Sequence, residues 1–212
     1  MFKKMITKAV LSSQRCQRNW NLKKRVPEED IEVLKTAITE CPSKQNYIFY
    51  KPHMITNRET IDKIYHNTED GSTSEDGERI KNVQTLANLL FVFEYSDEWQ
   101  QQVAEEAVRN QEAADFLNSG SVHPSIEPQR LLSIGIAAGY LNLTASMLGY
   151  QTGCCTCFNR PAVQKILGTK NPIGLLMGVG FGDEARPRRE HHKKPGYIFP
   201  THSKKMIVAE IR

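Results

Sequence analysis

The sequence has no apolar run long enough to cross a bilayer. Its longest unbroken one is Leu89 to Phe93, far short of the roughly 20 residues a spanning helix needs. Neither G-x-G-x-x-G nor G-x-x-x-x-G-K-[ST] occurs, which removes the two common phosphate-cradling glycine loops. G-x-S-x-G is also missing, and with it the nucleophile elbow of the α/β-hydrolases. Cysteine is scarce and odd in number: Cys16, Cys41, Cys154, Cys155 and Cys157. That argues against a secreted disulfide framework. Cys154 and Cys157 form a C-x-x-C, but no second ligand pair accompanies it, and His191 and His192 are adjacent. A tetrahedral zinc site would lack half its ligands, so no metal is expected. The cysteines read as an inert local cluster.

Acid is absent from the first 25 residues and scarce in the last 28. Residues 1–25 carry a net +8 and residues 185–212 a net +6, around a middle of −10. A uniformly basic nucleic-acid binder would show positive charge in its body too. The basic start, MFKKMITKAVLSSQR, has the look of a transit peptide. Its periodicity runs into the following sequence, which favours a first helix instead. The 212 residues are 39% apolar and 25% charged, enough to bury a core and to exclude global disorder.

What is present alternates between helical and extended patterns. Helices are predicted over 4–16, 25–41, 59–65, 78–87, 98–118 and 161–167, and strands over 47–56, 89–95 and 173–181. Pro27 with Glu28, Glu29 and Asp30 marks a helix start, the acids complementing the dipole. Leu89–Tyr95 is apolar throughout, as for a strand covered on both faces. Residues 128–149, PQRLLSIGIAAGYLNLTASMLG, are apolar all round and read as a long helix buried on most sides. Lys205–Ile211 has a strand pattern with no partner nearby in sequence. Together these give an α+β or mixed α/β layered architecture, with α+β the preferred reading.

Four segments in order resemble the FMN-dependent nitroreductase family. QRCQRNW (14–20) is similar to the arginine-rich pattern that ends the family's first helix. CPSKQN (41–46) is similar to its P-S-S-x-N. SIGIAAGYLNLTASMLGYQTGCC (133–155) is similar to its long central helix and the turn after it. MGVGFGDEARPRR (177–189) is similar to its last core strand and closing basic pair.

The resemblance implies a mixed central sheet covered by helices, a long buried central helix and a C-terminal strand open to exchange with a partner subunit. It divides the chain into an FMN-binding domain, 1–195, and a C-terminal extension, 196–212. It implies a cytoplasmic homodimer with FMN at the subunit interface, free of nucleic acid and membrane. Electrons would pass from NAD(P)H through flavin N5 to a nitro, quinone or similar small acceptor in a ping-pong cycle, the flavin rather than a side chain carrying the chemistry. The alternatives are a family relative with other flavin chemistry (dehydrogenase, dehalogenase, flavin fragmentation) and a non-catalytic FMN-binding protein.

By position, Gln14, Arg15 and Cys16 would meet the FMN phosphate from the N-terminal side, and Arg186 and Arg188 from the C-terminal side. Guanidinium forks suit that dianion in charge and geometry. Arg18 would sit near flavin N1 and O2, Ser43 and Asn46 would reach flavin from the other subunit, and Thr156 and Cys157 would offer backbone N–H groups to N5 and O4. Gln14 and Cys16 depart from the family's arginine and serine. Tyr47, Phe49 and Phe116 are candidates to line the acceptor pocket, which a short 95–128 stretch would leave open.

Overall fold

The computed structural model describes residues 2–69, 73, 77, 79–118, 126–201, 206 and 208–210, without the side chains of residues 113 and 116–118. The helices are α1 (Phe2–Ser13), α2 (Glu28–Thr39), α3 (Arg58–His66), α4 (Glu98–Ala107), α5 (Gln111–Asn118), α6 (Ile126–Met147) and α7 (Arg160–Leu167). The strands are β1 (Tyr50–Ile55), β2 (Leu89–Tyr95), β3 (Gln151–Cys155), β4 (Ile173–Gly180), β5 (Glu190–His191) and β6 (Lys194–Ile198). The main sheet has the order β1-β2-β4-β3, and β5 pairs with β6 in a separate hairpin.

Side-chain alternation along β2 and β4 builds two cores. Phe91, Phe93, Met177 and Val179 face α2 and α6, where they meet Ile31, Leu34, Ala137 and Leu141. Leu90, Val92 and Leu176 face the other way, toward Ile61 and Ile64 of α3, Val163 of α7, and Val83 and Leu86 of a 3-10 turn at Val83–Leu86. The result is helix, sheet and helix in three layers. Where Phe93 pairs with Leu175 and Glu94 with Ile173, Gly174 is left as an extra residue on β4. A Cβ there would lie 2.7 Å from Ile134 Cδ1 and 2.8 Å from Tyr95 Cε1, so the bulge needs glycine.

Several expectations are corrected. Every pairing in the main sheet is antiparallel among the described residues, so the sheet is not mixed. The segment expected to lie helical over 98–118 breaks at Val108–Asn110. Arg109 and Asn110 both donate to the Glu106 carbonyl at 2.9 Å, and the Asn110 side chain accepts from Glu112 N. The 95–128 stretch therefore holds two packed helices, α4 and α5, in place of the single one expected. Of the helix expected over 78–87, the described residues 79–87 form only the 3-10 turn at Val83–Leu86. The tail strand, expected to pair with a partner subunit, lies outside the described residues at 205, 207 and 211, and Met206, Val208, Ala209 and Glu210 make no strand within their own chain. β6 crosses position 195, and Phe199 beyond it is buried in the core.

Helix α6 is buried along Ser133, Ile134, Ala137, Leu141 and Ala145. Leu131, Leu132, Tyr140 and Met147 remain exposed, as do Phe2, Met5 and Leu11 of α1, which packs against it. Among the described residues no helix is long and apolar enough to cross a membrane.

Candidate functional site

After α1 the chain runs extended across the β3 edge of the sheet. Gln17 N donates to Thr152 O at 2.7 Å, Arg18 N to Arg188 O at 2.9 Å and Asn21 N to Phe181 O at 2.8 Å. Asp183 N returns a bond to Asn19 O at 2.9 Å. Glycine permits this close approach. A Cβ on Gly153 would lie 2.7 Å from Gln17 O, and one on Gly182 would overlap the Gln17 amide. Gln17 is itself buried and acts as a brace. Its Oε1 accepts from Arg18 N and Asn19 N, both at 2.9 Å, and its Nε2 donates to Gln151. Trp20 anchors the far end, its indole N–H donating to Val83 O at 2.9 Å.

This segment meets the residues that follow β4, so basic groups from both ends of the chain converge. Arg188 donates from Nη1 to Ser12 O at 3.1 Å and from Nη2 to Arg15 O at 2.7 Å. Arg186 donates to Asp183 and to the Asn19 side chain. The Arg18 guanidinium lies 4.6 Å above the centre of the Phe199 ring, a favourable cation–π contact. Burial lowers the pKa of both Arg18 and Arg188, and a neighbouring arginine adds to it in each case, Arg189 for the first and Arg15 for the second. Asp183 is the acid paired with Arg186, and its pKa is lowered first by the Ala185 N–H and then by that arginine. The Nε atoms of Arg18 and Arg188 and the Nδ2 of Asn19 are buried and have no hydrogen-bond partner among the described residues. Buried donors left unmatched are costly, and those of a surplus cation match an anionic acceptor.

Two of the three clustered cysteines sit on a strand. Cys154 and Cys155 belong to β3, and the Cys155 thiol lies 3.5 Å from Cys157 O. Burial pushes both Cys154 and Cys155 up to about 12, so they stay protonated and unreactive at neutral pH. All five cysteines are free, and among the described residues no three metal-ligating side chains are grouped to hold an ion. Thr156 and Cys157 are exposed at the end of β3. The Cys157 carbonyl accepts from Glu69 N and from the Asn82 side chain.

The remaining candidates fall into two groups. Gln14 and Arg15 are exposed, and Cys16 is half-buried, beside the cluster just described. Ser43, Asn46, Tyr47 and Phe49 precede β1, at the opposite edge of the sheet from β3. Three strand spacings separate those edges, about 14 Å. Ser43 Oγ donates to Tyr47 O at 2.7 Å, and Gln45 and Asn46 take left-handed φ values of 53° and 56°. Tyr47 bonds to Glu106 of α4, while Phe49 stacks on Trp99 at 6.2 Å and is 2% exposed. Phe49 therefore packs in the interior. The Phe116 side chain lies outside the described residues.

Sequence reasoning passed over Gln17, Asn19 and Phe199. Gln17 and Asn19 alternate with the basic residues of the 14–20 segment, and that alternation was the available signal. Phe199 had none, since it reaches Arg18 only through the β5–β6 hairpin.

The fold has clear relatives. A proposed nitroreductase of Bacillus subtilis superposes with a TM-score of 0.66 at 15% identity, covering 94% of each chain. One of Exiguobacterium sibiricum, solved in complex with FMN, gives a TM-score of 0.65 at 14% identity, covering 92% of this chain and 93% of that one. A proposed NAD(P)H:FMN oxidoreductase of Staphylococcus epidermidis gives 0.64 at 15% identity, covering 84% and 87%. At such identities the likeness speaks for the fold. No curated protein sequence matches the chain. The sequence pattern of the nitroreductase family, however, matches residues 11–183. That stretch runs from the end of α1, through the arginine segment and the whole sheet, to the turn after β4, and on that match the chain belongs to the nitroreductase family.

Proposed function

We propose that the protein is an FMN-dependent oxidoreductase that acts as a homodimer. The observation that carries this is the convergence of Arg15, Arg18, Arg186 and Arg188 with two buried, unmatched guanidinium Nε donors. A phosphate near two negative charges fits such a surplus. Arg15, exposed at the rim, and Arg188 would hold it. Arg186, committed to Asp183 and Asn19, would stiffen the segment that carries Arg18. Arg18 would place fixed positive charge, steadied by Phe199, at the flavin's N1–O2 edge, where it favours the reduced form. When bound, FMN supplies hydride and electron transfer at N5 between a nicotinamide donor and a nitro, quinone or similar acceptor.

The dimer is supported by two features of a single chain. The α1 and α6 surfaces leave large apolar side chains exposed, and exposed apolar patches mark interaction sites. The Ser43–Asn46 turn lies at the far sheet edge, so it reaches a ligand at the β3 edge most simply from a second copy.

The test is anaerobic mixing of FMN-loaded protein with NADH or NADPH. Bleaching of the flavin, followed by its return on adding a nitroaromatic or quinone, is expected. Protein that takes up no FMN would overturn the reading. Protein that holds FMN without bleaching would leave an FMN-binding protein of other chemistry.

A further inference from the structure

A second cleft, of about 660 Å³, opens between β1, the end of β2, the start of α4 and the loop after α7. Its volume is in the range of small-ligand sites. None of the residues that line it belongs to the arginine cluster, and β1 lies at the opposite sheet edge from that cluster. Its floor holds a buried carboxylate, Glu94, at the point where the β2–β4 register shifts. Bulges commonly re-aim side chains beside sites. Glu94 Oε2 lies 2.6 Å from His53 Nε2, and Glu94 Oε1 accepts from Asn171 N at 3.1 Å. An ionised carboxylate only accepts, so in the neutral ring Nε2 carries the proton and Nδ1, which has no hydrogen-bond partner among the described residues, is the accepting nitrogen.

The charges around this dyad are unevenly matched. Glu94 is taken by His53, and Asp97 by Arg130. Among the described residues Lys51 and Lys170 have no ion pair, while Glu98 is the lining acid left over. The Thr169 hydroxyl oxygen is buried and has no hydrogen-bond partner among the described residues. The cleft thus offers two ammonium groups and a hydroxyl to oxyanion oxygens, and an imidazole acceptor to an acidic O–H.

We propose that this cleft binds the phosphate group of a small phosphate monoester, its oxygens on Lys51, Lys170 and Thr169 and its P–OH donating to His53. A monoprotonated phosphate carries both features on one atom, whereas a carboxylate has no O–H left to donate. The volume leaves room for an organic body.

The experiment is an NMR titration of the His53 ring signals in FMN-loaded protein, with inorganic phosphate, phenyl phosphate and benzoate as probes. Phosphate and phenyl phosphate should shift those signals, benzoate far less. The double variant Lys51→Ala/Lys170→Ala, at two exposed positions, should weaken the effect at least roughly tenfold with an unchanged unfolding midpoint. Arg15→Ala, in the arginine cluster, should leave it intact. Unmoved His53 signals, an undiminished response in the lysine variant, or an equal response to benzoate would each overturn the proposal. Protein that fails to load FMN can be titrated in the same way, so the two readings fail separately.

Discussion

The Arg188 guanidinium donates to the carbonyl oxygen of Arg15 at 2.7 Å, joining two positions 173 residues apart. With its second bond, to Ser12 O, the side chain pins the end of α1 against the turn after β4. The N-terminal segment is held by this fork, by Gln17 and by Trp20, so its position depends on the far end of the chain.

Arg188→Ala removes both bonds from a charged donor. A loss of about 1–2 kcal/mol is expected, measured as a lower urea midpoint with an unchanged slope. Arg188→Lys should recover little of it, because one ammonium cannot span two carbonyls in the guanidinium geometry.

Gly178 sits on β4 directly beneath the 3-10 turn at Val83–Leu86. A Cβ there would overlap the Gln84 carbonyl oxygen and lie 2.8 Å from Ala87 Cβ. The obstacle is backbone, which cannot swing aside. Gly178→Ala should destabilise by about 3 kcal/mol, seen in thermal or urea unfolding. A variant as stable as the parent would mean that the turn does not rest on β4 as described.

The reach of the sequence can be judged from particular elements. Leu89–Tyr95 was read to the residue because a strand covered on both faces is continuously apolar, and nothing else in the chain competes for that pattern. β3 escaped notice because QTGCC is short and, Thr152 apart, lacks the β-branched and aromatic residues that mark a strand. It is a strand because glycine lets Gln17 and the 83–86 turn close over it. The β5–β6 hairpin escaped because EHHKKPGYI is mostly charged and polar, and it is fixed by His191, Tyr197 and Phe199 packing together. In the site, the basic residues could be picked out by type and position. Their division of labour could not, since Arg188 serves backbone carbonyls and Arg18 rests on a ring that arrives from the other end of the chain.

His191 stacks on Phe199 with rings 5.8 Å apart and 15° from parallel. Burial, reinforced by the positive charge of His192, Lys194 and Lys193 against a bond toward Lys81, lowers its pKa from 6.5 to about 4. The folded state therefore refuses a proton that the unfolded chain accepts. The stabilisation is fully present above pH 6.5, falls as pH drops toward about 4 and is lost below it. His191→Phe keeps the stack and removes the titration. Its stability should fall less steeply than the parent's between these pH values. A residual slope should remain, because burial also lowers His192. Parallel curves would contradict the assignment.

The exposed apolar faces of α1 and α6 predict how dimer and helix stability separate. Within one chain a Cβ at Gly139 meets nothing within 4 Å, so Gly139→Ala should stabilise an isolated α6 by about 1 kcal/mol. If a second copy packs here, a bulky Gly139→Leu should instead raise the dimer dissociation constant, read by sedimentation at falling concentration. Truncation after His202 tests the tail separately. It removes the exposed Met206 and Val208 and, on the proposed exchange with the partner, should weaken the dimer without lowering the secondary-structure signal. Dimers that persist undiminished in both variants would place the interface elsewhere.

Arg18 is the residue on which flavin binding and flavin reduction should part company. Its guanidinium is held by the Phe199 ring, and its Nε is a buried donor with nothing to bond among the described residues. Arg18→Ala removes both the charge and the donor, so FMN should bind more weakly and the nicotinamide should reduce it more slowly. Arg18→Lys keeps the charge without the planar donor. It should preserve the reduction potential better than the affinity, because the potential answers to net charge and the affinity to directed bonds. Phe199→Leu should act in the same direction as Arg18→Ala but more weakly, since it leaves the arginine present and only loosens it. Equilibrium FMN titration together with a spectroelectrochemical midpoint separates these outcomes. Equal affinity and potential in all three variants would remove Arg18 from the flavin site.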